Sequence, residues 1–441
     1  MAGDTIFALA TPPGRSGVAV LRLSGPDSGN IVSAAIQRAL PSPRQAALRK
    51  ILAEDGRLLD EGLILWFPGP ASFTGEDSAE LQIHGGTAVI EGVSARLSEL
   101  GARLAEPGEF TRRAYENGRI DLTQAEGLAD LVDAETSAQR EQALSQMTGA
   151  LRDLYEGWRR QLISIMAAIE GEIDFPDEEG VPEALAATAL PVIDELINAL
   201  GAHLDDDHRG ERVREGFRIA IIGPPNAGKS SLLNALAGRE AAIVTDIPGT
   251  TRDVVEIRLE LGGFVVTLAD TAGLRDTDDV VEKEGVRRAL THADSADFVV
   301  GLLDGSGDWN QEMTPVLQKS DFLVFAKADL GLSLTLPDSI GPDLVISTQS
   351  GQGLGDLEAR LKAVVSERLG QREMPALSRL RHRLSVSGAR DALQRARLRF
   401  GDPELAGEDI RLAVRALESL TGRIDVEDVL DEVFSRFCIG K

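Results

Sequence analysis

The stretch Gly223-Pro224-Pro225-Asn226-Ala227-Gly228-Lys229-Ser230 constrains this chain more than any other, because it fits the Gly-x-x-x-x-Gly-Lys-Ser/Thr pattern. Phe217 to Ile222 before it is a short apolar run that reads as a strand, and Ser231 to Ala237 after it reads as a helix. A strand feeding a tight loop and then a helix aims several backbone N–H groups and the positive helix end at one point. A lysine at that point reaches the outer phosphates of a nucleotide. The stretch has the form of a phosphate cradle. Eight residues also match by chance, so its partners elsewhere in the chain decide the matter.

The 441 residues are too many for one ordinary core and suggest about three domains. No apolar run approaches the ~18 residues of a spanning helix, and Met1-Ala2-Gly3-Asp4-Thr5 lacks the regions of a signal peptide. The expected compartment is the cytosol, with no membrane association. Cys438 is the only cysteine, which excludes an internal disulfide and a cysteine-based metal site within one chain. The net charge of −25 excludes nucleic-acid binding by bulk electrostatics, so any such role rests on local basic patches.

Residues 1–118 read as mixed α/β. Ala19, Leu21 and Leu23 form an apolar side of one strand, and Arg22 interrupts the other side; Leu63 to Phe67 and Ala79 to His84 are further strands, and Val89 to Leu100 is a helix. Residues 119–212 turn helical. Leu144, Met147, Leu151, Leu154, Trp158, Leu162, Ile165 and Ile169 draw one long apolar stripe, followed by a second helix with Ile193, Leu196, Leu200 and Leu204. The polar run from Asp205 to Gly210 reads as a linker. Residues 213–368 alternate strands with helices, the pattern of a mostly parallel sheet covered on both faces, with strands at 218–222, 254–260, 264–269, 298–303, 322–326 and 344–347. Gly262-Gly263 joins the second and third as a hairpin. Residues 369–441 are helical again, with Leu377, Leu380 and Leu384 on one face and Val426, Val429, Leu430, Val433, Phe434 and Phe437 on another. The two helical blocks are expected to pack on each other, with the α/β unit inserted between them.

The cradle has partners in the expected order. Asp270-Thr271-Ala272-Gly273 closes an apolar strand, as an aspartate acting on magnesium through water requires, and Ser230 is the direct magnesium ligand. Between them lies Thr245-Asp246-Ile247-Pro248-Gly249-Thr250-Thr251, a hydroxyl-rich loop from which Thr251 is chosen as the second ligand. Ala326-Lys327-Ala328-Asp329 stands where GTPases carry Asn-Lys-x-Asp. The Asp329 carboxylate can accept two hydrogen bonds from guanine, a pattern adenine does not offer. Ser347-Thr348-Gln349 completes the base pocket. Ala227, Gly228, Lys229 and Ser231 belong to the same GTP-binding set.

Leu274 stands where small switch GTPases keep a water-orienting glutamine, so another group must do that work. The acids between Asp276 and Glu284 supply several candidates, and composition does not choose among them. Asn226 is either a ligand for a monovalent cation beside the phosphates or an amide that braces the loop.

With these residues assembled, the chain resembles the MnmE (TrmE) family of tRNA-modification GTPases over nearly its full length. The resemblance includes Ala10 to Arg15, Phe73-Thr74-Gly75-Glu76-Asp77, Pro107 to Phe110, Asp174 to Glu179, the GTPase motifs and the ending Phe437-Cys438-Ile439-Gly440-Lys441. It implies a dimerising tetrahydrofolate-binding N-terminal domain of α/β type, a discontinuous helical domain and an inserted P-loop GTPase domain. It also implies a potassium-stimulated GTPase that works as a homodimer. With the FAD-dependent partner MnmG, the family adds an aminomethyl or carboxymethylaminomethyl group to carbon five of the wobble uridine of certain tRNAs, using a 5-formyl or methylene tetrahydrofolate derivative.

Carried over residue by residue, Asn226 becomes a potassium ligand with Thr245, Ile247 and Thr250. Ser230 and Thr251 match the magnesium ligands, and Glu282 matches the acid that orients the attacking water. Arg22, Glu80, Arg119 and Lys441 match folate-binding positions, with arginine at 119 where lysine is more usual. Arg379, Arg381, Arg383, Arg390, Arg395, Arg397 and Arg399 form either a tRNA-binding patch or a helix whose arginines pair with nearby acids. The competing classes are a ribosome-assembly or signalling switch without folate chemistry, and a folate-binding scaffold with a degenerate G domain.

Ala326 departs from the family pattern, because the usual asparagine amide ties the phosphate loop to the base-binding strand. Its absence is expected to weaken GTP affinity more than guanine selectivity. Ala326→Asn should tighten GTP binding about fivefold, the worth of one added hydrogen bond, and an unchanged dissociation constant refutes the assignment.

Overall fold

Strand spacing and apolar alternation place two separate sheets in this chain, and each forms the centre of its own unit. The computed structural model describes residues 3–174, 189–239, 255–270, 293–310, 314–337, 341–370, 375–424, 430, 433–435, 437 and 440. One unit takes Met1–Ala129, Gln146–Asp194 and Gly388–Lys441; the other takes Asp130–Ser145 and Glu195–Ser387.

In the first unit, β1 (Ile6–Leu9), β2 (Ser16–Ser24), β3 (Ala47–Leu52), β4 (Leu58–Phe67), β5 (Ser78–Gly85) and β6 (Arg103–Leu104) form a sheet in the order β3-β4-β5-β2-β1-β6. Neighbours are antiparallel except β1 and β6. Ile64, Leu81 and Leu21 stand opposite one another across three strands, and all are fully buried. Helices Ser28–Ile36 and Thr87–Glu99 cover that face with Ile31, Val32, Val93 and Leu97. One apolar face per strand is what an antiparallel sheet with one covered side requires.

The helical part of this unit centres on Ala150–Asp174 packed on Pro403–Thr421. The helices lie side by side at Gly407, where a Cβ would make ordinary contact with Ile169 Cγ2 at 3.5 Å. Asp402 caps the second helix by accepting from Leu405 N, Pro403 occupies its first turn, and Gly422 closes it in the left-handed conformation. The expected packing of the two helical blocks is found. The expected single stripe is not: helix Ser137–Met147 ends before Gly149, whose φ of 102° breaks the helix ahead of Ala150. The buried residues are then Leu151, Tyr155, Trp158, Leu162, Ile165 and Ile169, with Tyr155 in place of Leu154.

In the second unit, β7 (Phe217–Ile222), β8 (Val255–Leu261), β9 (Phe264–Asp270), β10 (Phe298–Asp304), β11 (Phe322–Ala326) and β12 (Leu344–Val345) form a sheet ordered β12-β11-β10-β7-β9-β8. All pairs are parallel except the β8–β9 hairpin, turned by Gly262 and Gly263 at φ 64° and 87°. Both faces are buried, Ile219, Ile221 and Val324 toward helices Lys229–Arg239 and Leu354–Leu369, and Ala220, Ile222 and Leu323 on the other side. Near-continuous apolar strands are the consequence. Among the described residues, no helix is long and apolar enough to cross a membrane.

Two sequence expectations change here. Asp205 to Gly210 is a packed turn rather than a linker: Asp206 and Arg209 are buried, and a Cβ on Gly210 would come 2.5 Å from Leu377 O. Arg383 pairs with Asp206, with Glu211 at 2.9 Å, and donates to Leu204 O at 2.7 Å. Leu377 is buried, whereas Leu380 and Leu384 are 61% and 64% exposed, so the three do not share a covered face. Phe434 and Phe437 are buried against Ala125 with Leu430 and Val433 beside them; Val426 and Val429 lie outside the described residues.

Asp206→Ala should destabilise this unit by about 3 kcal/mol, the low end of the cost of orphaning one member of a buried pair, because Glu211 still faces Arg383. Urea unfolding checks this, with Asp205→Ala, an exposed neighbour, expected to be nearly neutral.

Candidate functional site

The cradle follows β7 on the edge of the sheet where the parallel strands end. Gly223 is demanded by packing, because a Cβ there would stand 2.2 Å from Leu302 O of β10. Asn226 and Gly228 take φ of 59° and 101°, which turn the chain into the helix that begins at Lys229. That helix has no acid in its first turn, so its positive end is not offset by a side chain of its own. Lys229 is 5% exposed, and its Nζ donates to Gly223 O and Pro224 O at 2.9 Å each. The ammonium is thus held inside the loop it would serve. Ala227 is buried, while Asn226, Ser230 and Ser231 are exposed.

Asp270 is the last residue of β9 and lies in register beside Ile221 of β7, one strand from the cradle. Thr245, Asp246, Ile247, Pro248, Gly249, Thr250, Thr251, Thr271, Ala272, Gly273 and Glu282 lie outside the described residues.

The base side of the site begins where β11 ends. Ala326 is buried, and a Cβ built on Gly228 would lie 4.0 Å from its own Cβ, so the cradle and this strand end are in contact range. Backbone bonds fix the segment: Gly305 N donates to Ala326 O at 2.9 Å and Ala328 N to Ile346 O at 3.1 Å. Ser347 is fully buried; its Oγ donates to Asp329 Oδ1 at 2.5 Å and accepts from Ser350 N at 3.1 Å. One carboxylate oxygen of Asp329 is thereby oriented. Thr348 is half-buried beside it and Gln349 is exposed. Lys327 has φ of 58°, and its Nζ meets Asp304 Oδ2 at 2.6 Å. Burial works to raise the Asp304 pKa, but the hydrogen bonds from Lys327 and Ser306 outweigh it and hold the carboxyl below its usual range. No motif announced Asp304. Its signal is only that it closes an apolar strand beside the one that ends at Ala326.

In the first unit, Arg22 and Glu80 are cross-strand partners on β2 and β5, with Arg22 Nη2 and Nε at 3.0 and 3.1 Å from Glu80 Oε1. Arg22 Nη1 also donates to Gly440 O at 3.4 Å, which brings the end of the chain to this pair. Lys441 itself lies outside the described residues. Arg119 lines a cavity of about 410 Å³ with Asp121, Arg152 and Arg423. There burial pushes the Asp121 pKa up, although Thr123 and Gln124 donate to the carboxylate. The Thr74 to Asp77 segment does structural work: Ser24 Oγ bonds Thr74 Oγ1 and Glu76 Oε2 at 2.7 Å, and Glu76 meets Arg113 at 3.2 Å.

Six of the seven arginines in the run are paired with acids. Arg379 meets Asp130 at 2.6 Å, Arg390 meets Asp391 at 3.3 Å, and Arg395 and Arg399 share the buried Asp409 at 2.9 and 3.2 Å. Arg383 is bound as described, Arg397 pairs with Asp194, and Arg381 is also partnered. The ion pairs are those expected of a helix whose arginines pair with nearby acids, and Arg395, Arg397 and Arg399 keep about half of their side-chain surface exposed.

The family model for the MnmE helical domain matches residues 122–438, and that for the GTP-binding protein TrmE N-terminus matches residues 5–119. Similar proteins include the tRNA modification GTPase MnmE of Maricaulis maris, 59% identical over 441 residues that cover 99% of each chain. The proteins of the same name from Hyphomonas neptunium and Caulobacter vibrioides are 50% and 52% identical, over 100% and 99% of this chain and 100% of each relative.

Removing the hydroxyl that orients Asp329 tests the base side directly. Ser347→Ala should raise the dissociation constant for GDP about tenfold, the low end of the worth of a hydrogen bond to a charged group, and an equilibrium titration reads it.

Proposed function

The chain belongs to the MnmE (TrmE) family of tRNA modification GTPases, and from that premise we propose that it hydrolyses GTP to GDP and phosphate in tRNA modification. The observation that carries this reading is the single sheet edge that holds both the phosphate cradle and the Asp329–Ser347 pair. On this reading Lys229 exchanges the carbonyls of Gly223 and Pro224 for phosphate oxygens. The start of its helix receives the remaining negative charge. Asp329 accepts from guanine N1 and the exocyclic amine.

Hard oxygen donors suit magnesium, and the exposed Ser230 hydroxyl and Asp270 at the adjoining strand end are of that kind. Thr251 is the further ligand that the resemblance supplies. When bound, magnesium offsets phosphate charge. Asn226, exposed on the turn of the loop, is the proposed potassium ligand with Thr245, Ile247 and Thr250. Glu282 orients the attacking water, the task that Leu274 cannot perform.

The finer reading adds a tetrahydrofolate derivative at Arg22, Glu80, Arg119 and Lys441. A guanidinium and a carboxylate side by side suit a heterocycle that presents both donors and acceptors, which supports the first two positions. The proposed setting is a cytoplasmic homodimer that works with the FAD-dependent MnmG on the wobble uridine of certain tRNAs. The proposed domains are 1–118 for folate and dimerisation, 119–212 and 369–441 for the helical domain, and 213–368 for the G domain.

GTP turnover by the purified chain in potassium against sodium tests the mechanism. Potassium should accelerate turnover without another protein, and Glu282→Ala should lower kcat about 100-fold, as loss of a positioned acid–base group does. Equal rates in the two salts, or a fully active Glu282→Ala, would falsify it.

A further inference from the structure

Asp304 lies at the end of β10, directly opposite Ala326 of β11 in the parallel register. Both of its oxygens are engaged. Oδ1 accepts from Ser306 N at 3.0 Å and from Ser306 Oγ at 2.7 Å, and Oδ2 meets Lys327 Nζ at 2.6 Å. A carboxylate held at both oxygens is a rigid acceptor, and a charge-assisted bond to it fixes the far end of a flexible lysine.

The position of that lysine matters. Lys327 follows Ala326, which abuts Gly228 of the cradle, and precedes Asp329, which Ser347 orients. Its Nζ reaches the neighbouring strand, where it meets Asp304 at the end of β10. Its backbone takes the left-handed conformation, with φ of 58°. Ala326 offers no polar side chain to tie the strand end to the cradle, so an ion pair from the next residue to the neighbouring strand is the side-chain anchor at this point.

Resting on the guanine-nucleotide reading above, we infer that Asp304 is a positioning residue of the base pocket: through its ion pair with Lys327 it ties the segment that carries Asp329 to the end of β10. Asp304 acts through Lys327 and touches no nucleotide atom itself. It belongs to binding rather than to bond cleavage.

The test is an equilibrium titration of the full chain with a fluorescent GDP analogue, alongside steady-state GTP turnover, for Asp304→Asn and Lys327→Met singly and together. Asp304→Asn keeps the shape and an oxygen for Ser306 while removing the charge. It should raise the GDP dissociation constant and the KM for GTP about fivefold, the worth of a partly exposed ion pair, and leave kcat within about twofold. In the Lys327→Met background the same substitution should change neither constant further. A merely structural role would show the same loss in both backgrounds, and that result overturns the inference, as does unchanged or tighter binding by Asp304→Asn. Failure of the unsubstituted chain to bind guanine nucleotide would instead overturn the reading on which this rests, and the inference with it.

Discussion

Gly223 sits against the carbonyl of Leu302 so closely that a Cβ would lie 2.2 Å from that oxygen. The rest of the site depends on this approach. It lets β7 finish flush against β10, and the loop then turns into helix Lys229–Arg239 above the strand ends rather than away from them. Parallel strands share one direction, so Ile222, Asp270, Asp304 and Ala326 all finish on the same edge although a hundred residues separate the first from the last. The chemistry is assembled by strand direction and register. Side-chain contacts only refine it.

The charges follow a different rule. Acids outnumber bases 71 to 46, and Arg379, Arg383, Arg390, Arg395, Arg397 and Arg399 of the second helical block each meet an acid. A buried pair such as Arg383 with Asp206 adds little net stability over an apolar pair of the same shape, but losing one member is costly, which makes it a good device for fixing a geometry. Arg113 does the same in the sheet of the first unit, tying Asp4, Glu76 and Glu109 together. Thr74 and Glu76, in one of the stretches that carry the family resemblance, take part in this anchoring.

What the sequence made legible was whatever burial forces into a local pattern. The strands at 218–222, 264–269, 298–303 and 322–326 were read nearly to the residue because both faces of a parallel sheet are covered, and Gly262-Gly263 marked its hairpin. The order of the nucleotide motifs located the cradle and the base segment for the same reason. Long-range partners were not legible. Asp205 to Gly210 looks like a linker until Arg383, far along the chain, arrives to pair with Asp206. The stripe from Leu144 to Ile169 hid the break at Gly149, since the apolar spacing continues almost in phase across it. Asp304 was missed because its partner Lys327 lies on another strand end and no spacing rule connects them.

On the proposed reading, Ala326 separates affinity from selectivity. The position of this strand end is set by backbone bonds, Gly305 N to Ala326 O and Ala328 N to Ile346 O, which no side-chain change at 326 removes. The orientation of Asp329 is set by Ser347, which is itself held by Ser350 N. An amide at 326 would therefore add a direct tie to the cradle without being needed to place the groups that distinguish guanine. A chain can lose that amide and keep the discrimination, provided the backbone pairs and the buried serine remain. On the proposed reading the loss falls on the cradle side, where Lys229 and the helix end would bind phosphate whatever the base.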